Sequence, residues 1–245
     1  MYSRTVLKLS VLILSLLSFN SCNEVKQVLA DLEESPGATS DPSLSEISSG
    51  LKAALEKGTS KGVTTLSEAG GYLKNPKIKI PFPPSALKVE NTLRDIGLNK
   101  EVDRLVNSLN EAAENAVSAA KPLFISAIKS MTIMDAKEIL FGADTAATHY
   151  LKQTTSTGLK AAFNPSIQES LNKVNATKYW NDLASTYNKI PFVEKVNTDL
   201  AAYVTDRAVH GLFLKIAEEE KNIRVNPLAR TSTVLEKVFG YAARK

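Results

Sequence analysis

The chain has 245 residues, of which 43% are hydrophobic and 23% charged, with 30 Lys and Arg against 26 Asp and Glu. These proportions exclude wholesale disorder and suffice for one large helical domain or two small ones. A single cysteine excludes an internal disulfide, and two histidines leave little for a transition-metal site.

The N-terminal segment comes first. Arg4 and Lys8 give a short basic start, residues 6–17 are almost wholly apolar, and Ser18, Asn20 and Ser21 lead to Cys22. That order is the order of a secretory signal. The apolar run is about a dozen residues, against roughly 20 for a bilayer-spanning helix, so a permanent transmembrane anchor is not expected. Residues 16–22 resemble a lipobox, with Phe19 in place of the usual aliphatic residue. Cys22 is therefore the expected lipidation site: its thiol takes a diacylglyceryl group, and cleavage before it frees an amine for a third chain. The alternative is a plain signal peptide with an incidental cysteine. Loss of residues 1–21 removes Arg4 and Lys8 and no acid, leaving 28 basic against 26 acidic side chains. A nearly neutral exported protein is not expected to bind nucleic acid. The expected partners are the membrane, through the anchor at Cys22, and an envelope protein or small polar ligand. Asn23, where an aspartate would favour retention at the inner membrane, points to the outer membrane.

The expected divisions are a signal peptide at 1–21, a lipidated N-terminus and linker at 22–43, and a helical domain at 44–245. Residues 23–34 carry Val25, Val28, Leu29 and Leu32 at helical spacing, and 35–43 have the Pro, Gly and Ser content of a tether. From Leu44 the pattern is helical. Ile47, Leu51, Ala54, Leu55, Val63 and Leu66 share a face that Gly50, Gly58 and Gly62 weaken by up to about 1 kcal/mol each. Gly70 and Gly71 stop it. Prolines at 76, 81, 83 and 84 make 75–84 a crossing loop packed on the helices, with Ile78 and Ile80 extended. A short helix over 85–96 ends at Gly97, and Asn99 is a candidate cap for the next, whose apolar face runs from Val102 to Val117. Pro122 kinks or restarts the chain before 123–131. Thr132 and Asp135 resemble a capping pair for 133–140. Asp144 or Thr145 begins a helix toward Phe163, where Asn164-Pro165 is expected to break it. Further helices fit 166–174, 177–188, 198–223 and 229–243. The fold class is all-α: an irregular multi-helix bundle with a proline-rich crossing loop.

Five separated blocks carry a family resemblance: residues 109–117, 131–142, 146–150, 211–220 and 223–231. In order and spacing they resemble the family catalogued as domain of unknown function 4197, over about residues 44–240. Glu111 departs from the resemblance, which leads one to expect a basic residue there. The resemblance implies an envelope location and a helical domain. It implies no reaction and no catalytic residues.

Residue chemistry points the same way. His149 and His210 fall in different helices and outside any metal-binding spacing, so no metal and no cofactor is expected. No nucleophile elbow or phosphate-cradling glycine loop is present. The candidate polar ligand-binding cluster is Glu114, Asp135, Thr148, Tyr150, Glu220, Arg224 and Arg230, in which arginine would supply bidentate donors to an anion. The competing reading has these charges tying one helix to the next; Glu220 and Arg224 stand four apart, in the favourable order for a helical ion pair. The expected function is a membrane-anchored envelope lipoprotein with a helical binding or structural module and no catalysis. The alternatives are an envelope enzyme using a carboxylate cluster, or a lipid or small-ligand carrier whose aromatic residues enclose an acyl tail.

Overall fold

Ser43 starts the first helix. Its hydroxyl accepts from the Glu46 amide at 3.2 Å, and the Glu46 carboxylate accepts from the Ser43 amide at 2.8 Å, closing a capping box. The computed structural model describes residues 41–245 apart from 190, 193, 194 and 198. The expected signal peptide, Cys22, the helix at 23–34 and nearly all of the tether lie outside the described residues.

Among the described residues the regular elements are all helical. They are α1 (Leu44–Ser67), α2 (Leu87–Asp95), α3 (Asn99–Ala116), α4 (Ala120–Ser130), α5 (Ile133–Phe141), α6 (Ala146–Lys173), α7 (Ala176–Tyr187), α8 (Leu200–Val225) and α9 (Thr233–Ala242), with 3-10 turns at Pro84–Ala86, Val117–Ala119 and Pro227–Ala229. The protein is thus an all-α bundle. Helices α1, α6 and α8 form its centre: α8 lies on both α6 and α1, α6 also covers α3 and α4, and α1 meets α4, α5 and α9. Leu51, Leu66, Leu109, Phe124, Leu151, Phe163 and Leu212 are fully buried between them.

The glycines of α1 line its contacts with α8 and α9. A Cβ at Gly58 would meet Ile223 at 3.5 Å, and one at Gly62 would meet Ile216 at 3.6 Å. At Gly50 it would meet Val238 and Val234 at 2.8 and 2.9 Å, closer than van der Waals contact allows. The small residues that lower helix propensity let a second helix approach.

Two local expectations are corrected. Pro165 does not break the chain: α6 runs through it for 28 residues. Leu151, Thr155, Leu159, Phe163, Ile167 and Leu171 are all buried, a stripe at steps of four. Pro165 itself is exposed. The carbonyl it leaves without a donor therefore lies on the water side, and burial of Phe163 and Ile167 carries the helix past it. Asn99 does not cap α3. It is the first helical residue, and Leu98 holds the cap position without a side-chain bond.

The crossing loop is ordered by burial. Tyr72, Ile78, Ile80 and Phe82 are at most 4% exposed. Asn110 of α3 stands in for a neighbouring strand: its Oδ1 accepts from the Ile80 amide and its Nδ2 donates to the Ile80 carbonyl, both at 2.8 Å.

Candidate functional site

Glu220 and Arg224 occupy successive turns of α8 with side chains 6% and 11% exposed. Arg224 Nη2 donates to Glu220 Oε1 at 2.9 Å, and Nε does so at 3.0 Å. The same carboxylate receives the start of α6: Oε1 accepts from the Ala147 amide at 3.1 Å, and Oε2 accepts from the Thr148 amide and hydroxyl at 2.8 Å each. Thr145, at the cap position of α6, makes no side-chain cap. Glu220 supplies the cap instead, placing negative charge at the positive end of the helix dipole.

Arg224 faces the other way. Its Nη2 donates to the Ile139 carbonyl at 2.8 Å and its Nη1 to the Leu140 carbonyl at 3.1 Å, satisfying the end of α5. Arg230 then closes the end of α8: Nε donates to the Ile223 carbonyl at 3.1 Å and Nη2 to the Arg224 carbonyl at 2.7 Å. Its guanidinium stands 5.9 Å from the centre of the Phe239 ring. Thr148, Glu220, Arg224 and Arg230 are therefore one connected clasp over three helix ends. Beside it lies a cavity of about 20 Å³ bordered by Leu51, Leu55, Ile216 and Phe239, with room for about one water.

The other three candidates lie elsewhere. Glu114, 8% exposed, accepts from the Gly70 and Tyr72 amides at 3.0 Å and the Leu73 amide at 3.2 Å. Gly70, at φ 87°, turns the chain so that these donors converge. In the same corner the Tyr72 hydroxyl donates to the Ala208 carbonyl at 2.8 Å. Burial, and then the Glu114 charge, push that hydroxyl's pKa well above 10.0. Asp135 pairs with Thr132 in a capping box at 2.9 and 3.1 Å. The Thr132 amide, and then its hydroxyl, hold this carboxyl below its usual range. Tyr150 donates to the Ala127 carbonyl at 3.3 Å. Asp135 and Tyr150 share a shallow depression of about 470 Å³ with His149.

Two features were not singled out from sequence. Glu219, 6% exposed, binds Lys61 at 2.7 Å and Lys215 at 3.3 Å, tying α1 to α8. An apolar groove of about 550 Å³ lies between α3 and the α6–α7 turn, bordered by Phe82, Leu93, Val102, Leu105, Tyr179 and Trp180. The adjacent Tyr179 and Trp180, one 67% and the other 2% exposed, are its sequence signal. Among the described residues no group of three or more His, Cys, Asp or Glu could hold a metal ion, and no helix is long and apolar enough to cross a membrane.

The helix order and the capping chemistry define an all-α domain held together by buried charges at its helix ends. The chain belongs to the family described as protein of unknown function (DUF4197), whose profile matches residues 41–240. No curated protein and no solved structure matches it.

Proposed function

We propose that this protein is a lipid-anchored module of the cell envelope whose helical domain binds or organises a partner. The observation that carries this reading is the use made of the buried charges. Glu220 accepts five hydrogen bonds and Glu114 three, every one from a helix end, a turn or the Arg224 guanidinium. A general base must reach a substrate proton at about 2.6–3.2 Å. These carboxylates spend that reach on backbone amides and a fixed cation. Their work is to hold a rigid body in shape, which suits recognition of a partner.

The N-terminal order of basic, apolar and small residues before Cys22 supports the anchor. Several acyl chains, at about 0.8 kcal/mol per buried methylene, hold a domain at a bilayer stably, and confinement there raises its effective concentration toward a membrane-borne partner. The test is the intact mass of protein extracted from the membrane fraction. The expected species begins at Cys22 and carries the diacylglyceryl and amide-linked acyl groups, and Cys22→Ala moves the protein out of the membrane fraction. An unmodified Cys22 in membrane-derived protein overturns the anchor. Crosslinking in intact cells then identifies the partner.

A further inference from the structure

The groove between α3 and the α6–α7 turn stands apart from the buried clasp. At its floor Phe82 and Trp180 meet edge to face, ring centres 5.6 Å apart. Leu93, Val102, Leu105 and Val174 form the walls. Val174 is 50% and Tyr179 67% exposed, so the apolar lining opens to water. Asn175, at φ 57°, makes the tight turn that sets α7 against α6 and shapes one lip. A volume of about 550 Å³ falls within the range of about 300–1,000 Å³ typical of small-ligand sites.

The rim carries one charge of each sign. Glu101 and Arg104 both border the groove and are both exposed. They sit three apart on α3, so their Cβ atoms lie about 5–6 Å from each other. Neither makes a side-chain hydrogen bond or ion pair among the described residues. The nearby Arg94, by contrast, is tied to Glu90 and Asp103.

We propose that this groove binds a single-chain zwitterionic amphiphile of the lysophosphatidylethanolamine type. The acyl chain lies along the trough over Trp180. Arg104 takes the phosphate through its planar pair of donors, and Glu101 takes the ammonium. The chemistry of the rim selects this class: a fatty acid would leave Glu101 facing an anion, and a neutral lipid would use neither charge. The inference deepens the reading of the domain as a binding module by naming its ligand.

Trp180 is the only tryptophan, so its fluorescence reports on the groove alone. The full chain, purified from membranes and returned to phosphatidylcholine vesicles, is titrated with lysophosphatidylethanolamine bearing a nitroxide on its chain. The expected result is saturable quenching below the concentration at which the probe aggregates. Arg104→Gln and Glu101→Gln, both at exposed positions, should each weaken binding about threefold to fivefold, the ceiling for one exposed ion pair, while leaving a nitroxide monoacylglycerol unaffected. Leu105→Asp should weaken both probes by about tenfold or more by placing a charge in the trough. Because that change can also unsettle the fold, Tyr179→Ala serves beside it: the side chain is largely exposed, and its loss opens one wall and should weaken both probes.

Absence of saturable quenching, equal affinity after both rim substitutions, or unchanged quenching in Tyr179→Ala overturns the proposal. So does a reversible dimer, seen by sedimentation, that shields Trp180. Flotation of the same vesicles reports on the anchor separately. Protein that floats without being quenched loses the groove and keeps the anchor, and protein that is quenched without floating does the reverse.

Discussion

A carboxylate as enclosed as Glu220 is tolerable only because its charge is met on every side. Two amides, one hydroxyl and two guanidinium nitrogens donate to it, and Arg224 is in turn met by two carbonyls. Removing one partner of such a pair leaves the other charge buried and uncompensated, which costs about 3–5 kcal/mol. Glu220→Ala should lose about that much in urea unfolding, and it also strips the cap from α6. Thr148→Val removes one neutral donor and keeps the shape, so it should cost only about 1 kcal/mol. Replacing both Glu220 and Arg224 with leucine should recover part of the single-mutant loss, because no orphaned charge remains. A double mutant less stable than Glu220→Ala would show that the clasp stabilises through its charges beyond merely balancing them. Glu114 follows the same rule with three backbone donors and no cation, so Glu114→Ala should cost about 3 kcal/mol through unsatisfied amides in the Gly70–Leu73 turn.

Helix glycines show how packing and propensity compete within one element. Alanine is favoured over glycine by about 1 kcal/mol in a helix interior. At Gly58 the added Cβ meets Ile223 at 3.5 Å, an ordinary contact, so Gly58→Ala should raise stability by up to about 1 kcal/mol. At Gly50 the same methyl meets Val238 at 2.8 Å and Val234 at 2.9 Å, so Gly50→Ala forces α9 away from α1 and should lower stability by about 1–2 kcal/mol net of the propensity gain. The two melting temperatures should move in opposite directions; a parallel shift would mean that α9 gives way freely.

These elements also mark what could be read without coordinates. Apolar spacing located most helices, and the Thr132–Asp135 capping pair was legible because both partners lie within one turn. The continuation of α6 through Pro165 was not, because it depends on which side of the helix faces water, and that is fixed by the packing of α3, α4 and α8. Nor was the true cap of α6. Glu220 lies more than 70 residues from Ala147, and no local pattern marks a cap supplied from a distant helix. For the same reason the seven polar candidates divided into one clasp and three separate ties: sequence shows which side chains are polar, and the order of packing decides which of them meet.

Across the whole molecule the shifted groups sit either in ties between elements or in local bonds within one helix, and their directions set the pH range over which the fold is most stable. Lys237 of α9 donates to Glu46 of α1 at 2.6 Å, and this bond, followed by those from Ser43, lowers the Glu46 pKa from 4.5 to about 2. Lys77 in the crossing loop does the same for Glu218 of α8, also downward. Asp135 is lowered by its cap. A carboxyl with a depressed folded pKa binds fewer protons folded than unfolded. Its contribution is fully present above the unfolded value and is lost as pH falls through the folded one. The Glu46 contribution should therefore fade as pH drops from about 4.5 toward 2, and those of Glu218 and Asp135 should fade as pH falls below their ordinary carboxylate range. Tyrosines act at the opposite end. Burial raises Tyr72 far above 10.0, and raises Tyr203 as well, so the folded state holds protons that the unfolded chain releases. That contribution is complete below pH 10 and is lost as pH climbs beyond it. Urea midpoints measured across pH should form a plateau with an acid limb and an alkaline limb. Glu46→Gln should make the acid limb shallower and leave the alkaline one untouched. Tyr72→Phe should do the converse, while lowering the plateau by about 1 kcal/mol for the lost bond to the Ala208 carbonyl. An alkaline limb that persists unchanged in Tyr72→Phe would assign it to Tyr203, the other tyrosine raised by burial, and would remove Tyr72 as the group that sets the upper edge of the stable range.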